Sequence, residues 1–502
     1  MKAFLVRGVP ASVQMDGWWI NKEKGGGRAR NRQRTDAAGA GRLQIWALIG
    51  LIALADQMIW QVDPGLSLAV FGIAILAVGY VLAGQKGAGG IGAAAVLFLP
   101  LVEQMQALSV LFWLAGMALG AGWIALAKWP GLGRLMTAGA RFVLSAPRQV
   151  LGDARELVQV RFFGVDLRAI VVGWALPLGV GAVFVMLLLD ANPMIENGLN
   201  AVLKLQWLSL VVVDRMVFWL AIGALIWPFL ALRKMRERLK LPFFSERRPE
   251  AENRPVAGRF GFVNAGSVRR SLLLFNVVFA LQIGMDAAYL WGGAALPAGM
   301  GYAEYAHRGA YPLLVMALMA GGFALLSRPF VAQNRMLKAV LLVWIMQTVL
   351  LVVSSLYRLD LYIEVFGLTR LRLAALVWMG VVAAGLVLVI WQVLRGFTTA
   401  WLLSRVAILG AAVLYFVCFI SFDRTIARYN LTHDVPQDVY YLCSLGAGAL
   451  PEIRQYEAQS GQRFCHSDEP RAPDVGDWRE WGFRDWRVQR NLAKISNTGA
   501  RL

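Results

Sequence analysis

The sequence is poor in charged residues and very poor in histidine and cysteine. Of its 502 residues, 16% are Asp, Glu, Lys or Arg, and only three are histidines and three cysteines. Soluble domains contain about 25% charged residues. A soluble chain of this length would also divide into several domains, each of which needs a polar surface. A soluble globular protein is therefore excluded, and so is a disulfide-rich scaffold.

Several motifs of catalysis are also missing. The chain has no Walker A motif, no HExxH, no GxSxG and no CxxC, so neither ATP hydrolysis nor zinc protease, serine hydrolase or thiol redox chemistry is predicted. A GxGxxG match at 87–92 lies between two apolar segments and follows no strand, which indicates a hairpin loop instead of a nucleotide site. The sequence predicts no cofactor and no metal site.

Apolar segments dominate what is present. Hydrophobic residues make up 58% of the chain, and about 20 apolar residues in a helix cross the hydrocarbon core of a bilayer. Runs such as Val340–Val353 do not alternate as the strands of a membrane β-barrel would. The sequence therefore predicts an all-α, polytopic membrane bundle of about eleven transmembrane helices. The predicted spans are Leu43–Val62, Leu66–Gly84, Ile91–Glu103, Gln106–Ala127, Ala169–Leu189, Met216–Leu232, Ser271–Gly292, Ala310–Ser327, Leu337–Leu356, Leu373–Leu394 and Trp401–Phe422.

The basic residues predict the orientation. The chain has 50 Lys and Arg against 31 Asp and Glu, a net charge of +19, and nine of the basic residues precede the first span. Loops rich in Lys and Arg stay in the cytoplasm. The segment Ser421–Leu502 is balanced, with eleven acidic and eleven basic residues. We therefore predict a bacterial inner-membrane protein with a cytoplasmic N-terminus and a periplasmic C-terminus. The loop Tyr357–Arg372 does not fit this assignment, because the predicted topology places its three arginines in the periplasm.

The composition divides the chain into five regions. The basic arm and loops are expected to bind anionic lipid headgroups. The arm shows no folded nucleic-acid-binding module, so no nucleic acid is predicted as a partner. The sequence leaves open whether the chain has a protein partner in the membrane. The regions are a disordered basic cytoplasmic arm (1–42), an N-terminal membrane region of about six spans with an amphipathic helix in the cytoplasmic loop 128–168 (43–232), a basic cytoplasmic linker (233–270), a C-terminal membrane region of about five spans (271–422) and a small helical periplasmic tail (423–502).

Charged residues near the outer ends of the predicted spans form the candidate site. Asp56 and Asp286 lie inside apolar segments, where an ionisable group is costly and by default a functional candidate. The alternative is a set of interfacial ion pairs that fix the helix ends. Gly367 and Thr369 are typical of a turn followed by a helix start. The residues predicted to bind a substrate are Glu304, His307, Arg308, Asp360, Glu364, Arg370 and Arg372.

Two cysteines lie in the predicted periplasmic tail. Cys443 and Cys465 are 22 residues apart, and an oxidising periplasm permits a disulfide between them. Two unpaired thiols in a small domain are the alternative, and the sequence leaves both open.

Three segments of the chain resemble an uncharacterised family of bacterial integral-membrane proteins. These segments are Trp291–Leu314, Leu361–Leu373 and the tail pattern formed by Ala427–Asn430 and Asp438–Ile453. Together they resemble domain of unknown function 4173. The resemblance implies a polytopic membrane architecture and no particular activity.

The leading functional prediction is a non-enzymatic membrane component: a permease-like protein, a sensor or an assembly factor with a charged recognition site at the periplasmic face. The alternative is a membrane-embedded transferase or hydrolase that acts on a lipid-linked substrate through Glu304, Asp360 or Glu364. An enzyme needs two of these carboxylates close to one reacting atom. A permease needs polar groups that continue to mid-bilayer, for which the candidates are Asp56, Asp286, Gln347 and Gln392.

Overall fold

A computed structural model of the chain describes residues 26–84, 88–126, 131–158, 161–162, 165–166, 177, 210–234, 264–292, 302–331, 334–465 and 470–499. These residues are almost entirely helical, and the one β element among them is a two-residue antiparallel pair, Arg161–Phe162 with Val165–Asp166. The all-α prediction is confirmed.

The described residues contain fifteen α-helices. They are α1 (Gly26–Ile59), α2 (Leu66–Ala83), α3 (Gly89–Glu103), α4 (Ala107–Leu126), α5 (Leu132–Val158), α6 (Leu210–Leu230), α7 (Ala265–Asp286) with a π-helical turn (Ala287–Trp291), α8 (Tyr302–Val331), α9 (Arg335–Phe366), α10 (Arg370–Arg395), α11 (Thr399–Val417), α12 (Phe422–Thr432), α13 (Val439–Cys443), a 3₁₀ turn (Ala447–Ala449), α14 (Leu450–Ser460) and α15 (Phe483–Gly499).

Six helices of the described residues are long and apolar enough to cross a membrane, and they identify a membrane protein. Three shorter apolar helices accompany them, Leu43–Ile59, Gly89–Glu103 and Val315–Val331. The prediction of about eleven crossings is not confirmed, and its fifth span, Ala169–Leu189, lies outside the described residues. The six are Leu66–Ala83, Ala107–Leu126, Ala265–Tyr289, Arg335–Phe366, Arg370–Arg395 and Thr399–Val417.

Two predicted boundaries differ from the structure. The sequence predicts a disordered arm over 1–42, but α1 begins at Gly26. Residues 26–42 include nine Ala and Arg, which are good helix formers, and these offset its four glycines. The loop 128–168 is expected to become helical near Arg148, but α5 begins at Leu132. Residues 1–25 lie outside the described part of the chain.

The chain divides into two compact units. The first contains Met1–Val62, Val70–Ala94 and Met117–Leu241, and the second contains Asp63–Ala69, Ala95–Gly116 and Pro242–Leu502. The division after Leu241 falls within the region 233–270 that the sequence indicates as a linker.

In the first unit, α6 packs between α1 and α5. The side chain of Gln44 donates to the carbonyl of Leu230 at 3.2 Å. On the other side of α6, the rings of Phe142 and Phe229 lie 4.7 Å apart. These contacts combine apolar packing with a polar contact to the end of α6.

In the second unit, α7, α8, α9 and α10 share one apolar core. Trp344 of α9 lies at its centre, with the rings of Phe275, Phe279 and Phe323 at 5.2, 5.7 and 5.6 Å. Aromatic residues at helical spacing on three helices therefore fix how α7 and α8 pack on α9. Exposed Leu274, Val277 and Leu281 on the outer face of α7 are suited to contact lipid.

The turn between α9 and α10 is held by a residue from a later helix. Gly367 ends α9 with a φ of 75°, and Thr369 caps α10 by accepting from the N–H of Arg372, so the predicted turn and helix start are confirmed. Buried Asn430 of α12 accepts from the N–H of Leu368 at 2.7 Å and donates to its carbonyl at 2.9 Å. This pairing replaces the backbone hydrogen bonds that the turn lacks.

The tail contacts two earlier segments of the same unit. The carbonyl of Arg479 accepts from the N–H of Gly65 at 3.1 Å, and that of Trp481 accepts from the N–H of Leu66 at 3.0 Å. A helix start has N–H groups without intrahelical partners, and the tail satisfies them at α2. Arg484 of α15 donates to Glu103 at 3.2 Å, at the end of α3.

Candidate functional site

A buried ion pair joins α7 to α9 inside the second unit. Asp286 is the last residue of α7, Arg358 lies on α9, and their side chains are 2% and 3% exposed. Arg358 donates to one carboxylate oxygen of Asp286, and the Ser354 hydroxyl donates to the other. Gln282 donates to the carboxylate as well, at 2.9 Å. Charge-assisted hydrogen bonds of this kind are the strong ones.

Helical spacing explains why these four residues meet. Gln282 and Asp286 are four residues apart on α7, and Ser354 and Arg358 are four apart on α9, so each pair lies on one face of its helix. A π-helical turn, Ala287–Trp291, follows Asp286 directly. Single π-helical turns are frequently found at functional sites.

Polar groups continue along the same two helices away from the ion pair. Gln347 lies seven residues before Ser354 and eleven before Arg358, which places the three on one stripe of α9, with Gln347 about 10 Å from the level of Ser354. Among the described residues, the side-chain oxygens of Gln347 and Asn276 and the indole nitrogen of Trp344 are buried without a hydrogen-bond partner. Buried polar atoms are nearly always paired, with protein or with water. The unpaired polar atoms of this stripe are therefore able to form hydrogen bonds with a polar ligand.

The other two candidates for mid-bilayer polarity, Asp56 and Gln392, lie near helix ends and have other partners. Asp56 lies one turn from the end of α1, where it accepts from Arg215 at 2.7 Å and from the indole of Trp219 at 2.9 Å. Gln392 is buried, but it lies in the last turn of α10 and donates to the carbonyl of Thr398 at 3.1 Å. Of the four sequence candidates, the structure thus brings only Asp286 and Gln347 onto one helix pair.

Two of the three arginines of the predicted recognition site, Arg370 and Arg372, already have partners within the chain. Arg370 donates to Asp423 at 2.7 Å. Arg372 donates to the carbonyls of Phe366 and Gly367, and its guanidinium lies 4.5 Å above the ring of Tyr362. Arg372 thereby satisfies carbonyls at the end of α9, as basic residues commonly do at helix C-termini.

Two acidic residues of that site, Asp360 and Glu364, lie on the exposed face of α9. Asp360 and Glu364 are both exposed and one turn apart. Tyr429 of α12 is their neighbour: burial raises the pKa of the Tyr429 hydroxyl, and the charges of Asp360 and Glu364 raise it further. The ring of His433 stacks on Tyr429 at 4.0 Å. Glu304, His307 and Arg308 belong to α8, but their side chains lie outside the described residues.

A disulfide joins the two tail cysteines. Cys443 and Cys465 have Cα atoms 5.8 Å apart, within the usual range for such a bond. Glu457 accepts from the N–H of Phe464 at 2.7 Å and thereby holds the chain beside Cys465. Within the described part of the chain, no group of three or more His, Cys, Asp or Glu could hold a metal ion.

Arg358 is a site residue that the sequence does not predict. The apolar run ends at Leu356, which assigns this arginine to an outer loop, whereas α9 continues to Phe366. The sequence does contain a signal for Arg358. Ser354 and Arg358 are four residues apart, and Asp286 is an isolated carboxylate in another predicted span that could pair with them. Asn430 and Arg484 are missed for a similar reason, because their partners are remote in sequence.

Comparison with protein families gives one result. No curated protein and no solved structure matches the chain. The family model described as domain of unknown function (DUF4153) matches residues 47–456. The number 4173 suggested by the sequence is not confirmed, whereas an uncharacterised domain family is. Since the match covers most of the chain, this protein belongs to the DUF4153 family.

Proposed function

We propose that this chain is a non-enzymatic, permease-like protein of the bacterial inner membrane that recognises a polar ligand from the periplasmic side. A sensor or an assembly factor with a protein partner in the membrane would use the same site. The observation that carries the proposal is the Asp286–Arg358 pair, which is buried between membrane-spanning helices. Ionisable groups at such positions are expensive and mark ligand or ion pathways.

The polar stripe beyond the ion pair favours transport over recognition at the surface. A permease needs polar groups that continue from one face towards mid-bilayer. Gln347 and Asn276 extend the site in that direction, and each has a buried oxygen without a partner among the described residues. A ligand that displaced water along this stripe would exchange contacts with Asp286 and Arg358 at its outer end.

The proposed orientation has the N-terminus in the cytoplasm and the tail in the periplasm. Two observations support it: the excess of basic residues before the first span and the Cys443–Cys465 disulfide, a bond that persists in oxidising compartments. A reporter active only in the periplasm, fused after residue 502, is expected to be active. Activity of a cytoplasmic reporter at the same place would reverse the orientation.

The enzymatic alternative has weaker support. Asp360 and Glu364 flank Tyr429, which gives a hydroxyl and two carboxylates in one neighbourhood. Their exposure on one helix face differs from the enclosed arrangement that acid–base catalysis on one reacting atom needs. A transferase or hydrolase would therefore have to complete its site with a bound lipid-linked substrate.

Ligand capture tests the proposed function. The full chain would be extracted into native-lipid discs, and small molecules that copurify would be identified by mass spectrometry. We expect a polar compound that is retained by wild type and by Asp56→Asn but lost from Asp286→Asn. The Asp56→Asn control removes a carboxylate that also pairs with an arginine, in the other unit. Equal retention by all three proteins, or no retained polar compound, would contradict the proposal, and a lipid-linked sugar lost on Asp360→Asn would favour the enzyme.

A further inference from the structure

A second polar site lies where the last membrane-spanning helix meets the tail. Helices α12, α14 and α15 enclose a pocket of about 200 Å³ just after the end of α11. The volume is below the roughly 300–1,000 Å³ of pockets for drug-sized ligands, so the pocket suits a compact chemical group. Its polar lining consists of Ser421, Arg424, Thr425, Arg484, Arg487 and Asn491.

Positive charge is concentrated around this pocket. Arg424 pairs with Glu452 at 2.8 Å, whereas Arg484 and Arg487 share a single carboxylate, that of Glu103. Three guanidinium groups are thus matched by two ion-paired carboxylates.

Arg484 also donates to the side chain of Gln104 and to the carbonyl of Cys418, both at 2.6 Å. Arg424 and Arg487 are therefore better placed to bind a phosphate, which guanidinium groups recognise in planar, bidentate geometry.

A third acid, Asp485, lies close to Arg484 and Glu103. Burial raises the pKa of Asp485, and the charge of Glu103 raises it further, while Arg484 lowers it; the net direction is upward.

Arg487 also has a donor that no described residue uses. The Nε of Arg487 is buried without a hydrogen-bond partner among the described residues. Ser421 is the residue before α12, and its hydroxyl makes no capping bond to that helix. The start of this eleven-residue helix, which contributes the lining residues Arg424 and Thr425, is therefore not capped by Ser421.

The position of the pocket indicates where the anion comes from. Phe419, two residues beyond the end of α11, forms part of the wall, so the pocket opens next to a membrane-spanning helix. On α15, the rings of Phe483 and Trp486 stack at 5.6 Å, with Arg487 and Arg490 above them. Aromatic rings with basic neighbours are typical of the headgroup region of a bilayer.

We propose that this arginine pocket binds the phosphate group of an anionic phospholipid and thereby attaches the tail to the surface of the membrane. The site is separate from the Asp286–Arg358 pair and does not depend on the function proposed for that pair.

The test measures lipid binding to the full, delipidated chain in neutral detergent. Native mass spectrometry would follow the titration of phosphatidylglycerol, with diacylglycerol as the matched lipid without phosphate. We expect phosphatidylglycerol to bind, diacylglycerol not to bind, and Arg487→Gln to weaken binding about tenfold, which corresponds to about 1.4 kcal/mol. Arg490→Gln is the control, since Arg490 lies on the same helix but does not line the pocket.

A second variant separates binding from folding. Asn491→Leu removes a polar lining group but leaves the ion pairs of Glu103 in place, and we expect it to weaken phosphatidylglycerol binding several-fold with an unchanged melting temperature.

Inorganic phosphate distinguishes the source of the anion. Competition at millimolar concentration shows recognition of the phosphate group within the lipid. Binding of inorganic phosphate without binding of phosphatidylglycerol would overturn the lipid assignment. Equal affinities of Arg487→Gln, Asn491→Leu and Arg490→Gln would overturn the site.

Discussion

Two aspartate–arginine pairs join apolar helices in this protein, and they differ mainly in burial. In the first unit, the side chains of Asp56 and Arg215 are 15% and 45% exposed. In the second unit, the side chains of Asp286 and Arg358 are 2% and 3% exposed. Both aspartates stand out in the sequence for the same reason, as isolated carboxylates in apolar segments. The same sequence signal therefore marks a helix-end contact in one unit and an enclosed polar site in the other.

The partner of a charged residue can thus be more informative than the residue itself. A pair that remains partly exposed contributes little, because its charges are screened. A buried pair is costly to break, because removal of one partner leaves the other charged and desolvated. The presence of a buried pair is therefore weak evidence for a net gain in stability, even though breaking it is costly.

The largest expected effect is the contrast between the two arginines. Arg358→Leu should lower the free energy of unfolding by about 3–5 kcal/mol, since Asp286 is left buried and charged. Arg215→Leu should cost at most about 1 kcal/mol. Thermal unfolding of both variants in the same detergent measures the difference.

A double variant tests whether Arg358→Leu lowers the stability through the unpaired charge of Asp286 or through general disruption of the helix. Asp286→Asn combined with Arg358→Leu removes both charges, so it should regain part of the stability that Arg358→Leu loses. Equal losses from Arg358→Leu and Arg215→Leu would show that burial does not distinguish the pairs.

The sequence predicts local features of this fold and misses the contacts between distant segments. Apolar runs locate most of the described helices, and Gly367 with Thr369 locates the start of α10, because these signals depend on neighbouring residues. The predicted end of α9 lies ten residues too early, since hydropathy cannot show that Arg358 has a carboxylate partner 72 residues away. Arg484 and Glu103 are separated by 381 residues, and no local pattern joins them.

A smaller effect tests whether burial also governs neutral polar contacts. Asn430→Ala should cost about 2–4 kcal/mol, because the buried N–H and carbonyl of Leu368 lose their partner and each unpaired group costs about 1–3 kcal/mol. Thr432→Ala is the control on the same helix, since the Thr432 hydroxyl is exposed and bonds locally to the carbonyl of Arg428. Chemical denaturation of the two variants should give clearly different midpoints, and similar midpoints would disprove the role of Asn430.

The next contrast concerns close packing instead of charge. A Cβ atom at Gly65 would lie 2.5 Å from the carbonyl carbon of Glu480, whereas one at Gly92 would meet nothing within 4 Å. Gly65→Ala should therefore destabilise the protein by about 1–3 kcal/mol, as overpacking usually does. Gly92→Ala should be neutral or slightly stabilising. Hydrogen exchange at residues 477–482 should speed up in Gly65→Ala alone, and unchanged exchange there would mean that the tail does not contact the start of α2.

The smallest effect is a pH dependence in the tail, where the comparison of buried and exposed carboxylates can be repeated. Burial by itself raises the pKa of Glu457, but hydrogen bonds from the N–H groups of Phe464 and Cys465 and from Arg454 outweigh it, so the net pKa is lowered. The pKa of exposed Asp477 is also lowered, chiefly by the hydrogen bond from Arg479. A lowered pKa adds stability above the usual value for the side chain, and this contribution is lost as the pH falls through the folded value.

The measurement is the rate at which a phosphine reductant opens the Cys443–Cys465 disulfide between pH 7 and pH 3. In wild type, the rate should rise as Glu457 becomes protonated below its usual pKa of 4.5, because the backbone beside Cys465 loses its acceptor. Glu457→Gln keeps a neutral acceptor and should flatten this rise, whereas Asp477→Asn should leave it unchanged because solvent already screens that pair. A rise of the same size in all three proteins would show that the acid sensitivity of the reduction rate does not arise from Glu457. Its partial burial would then not distinguish it from exposed Asp477.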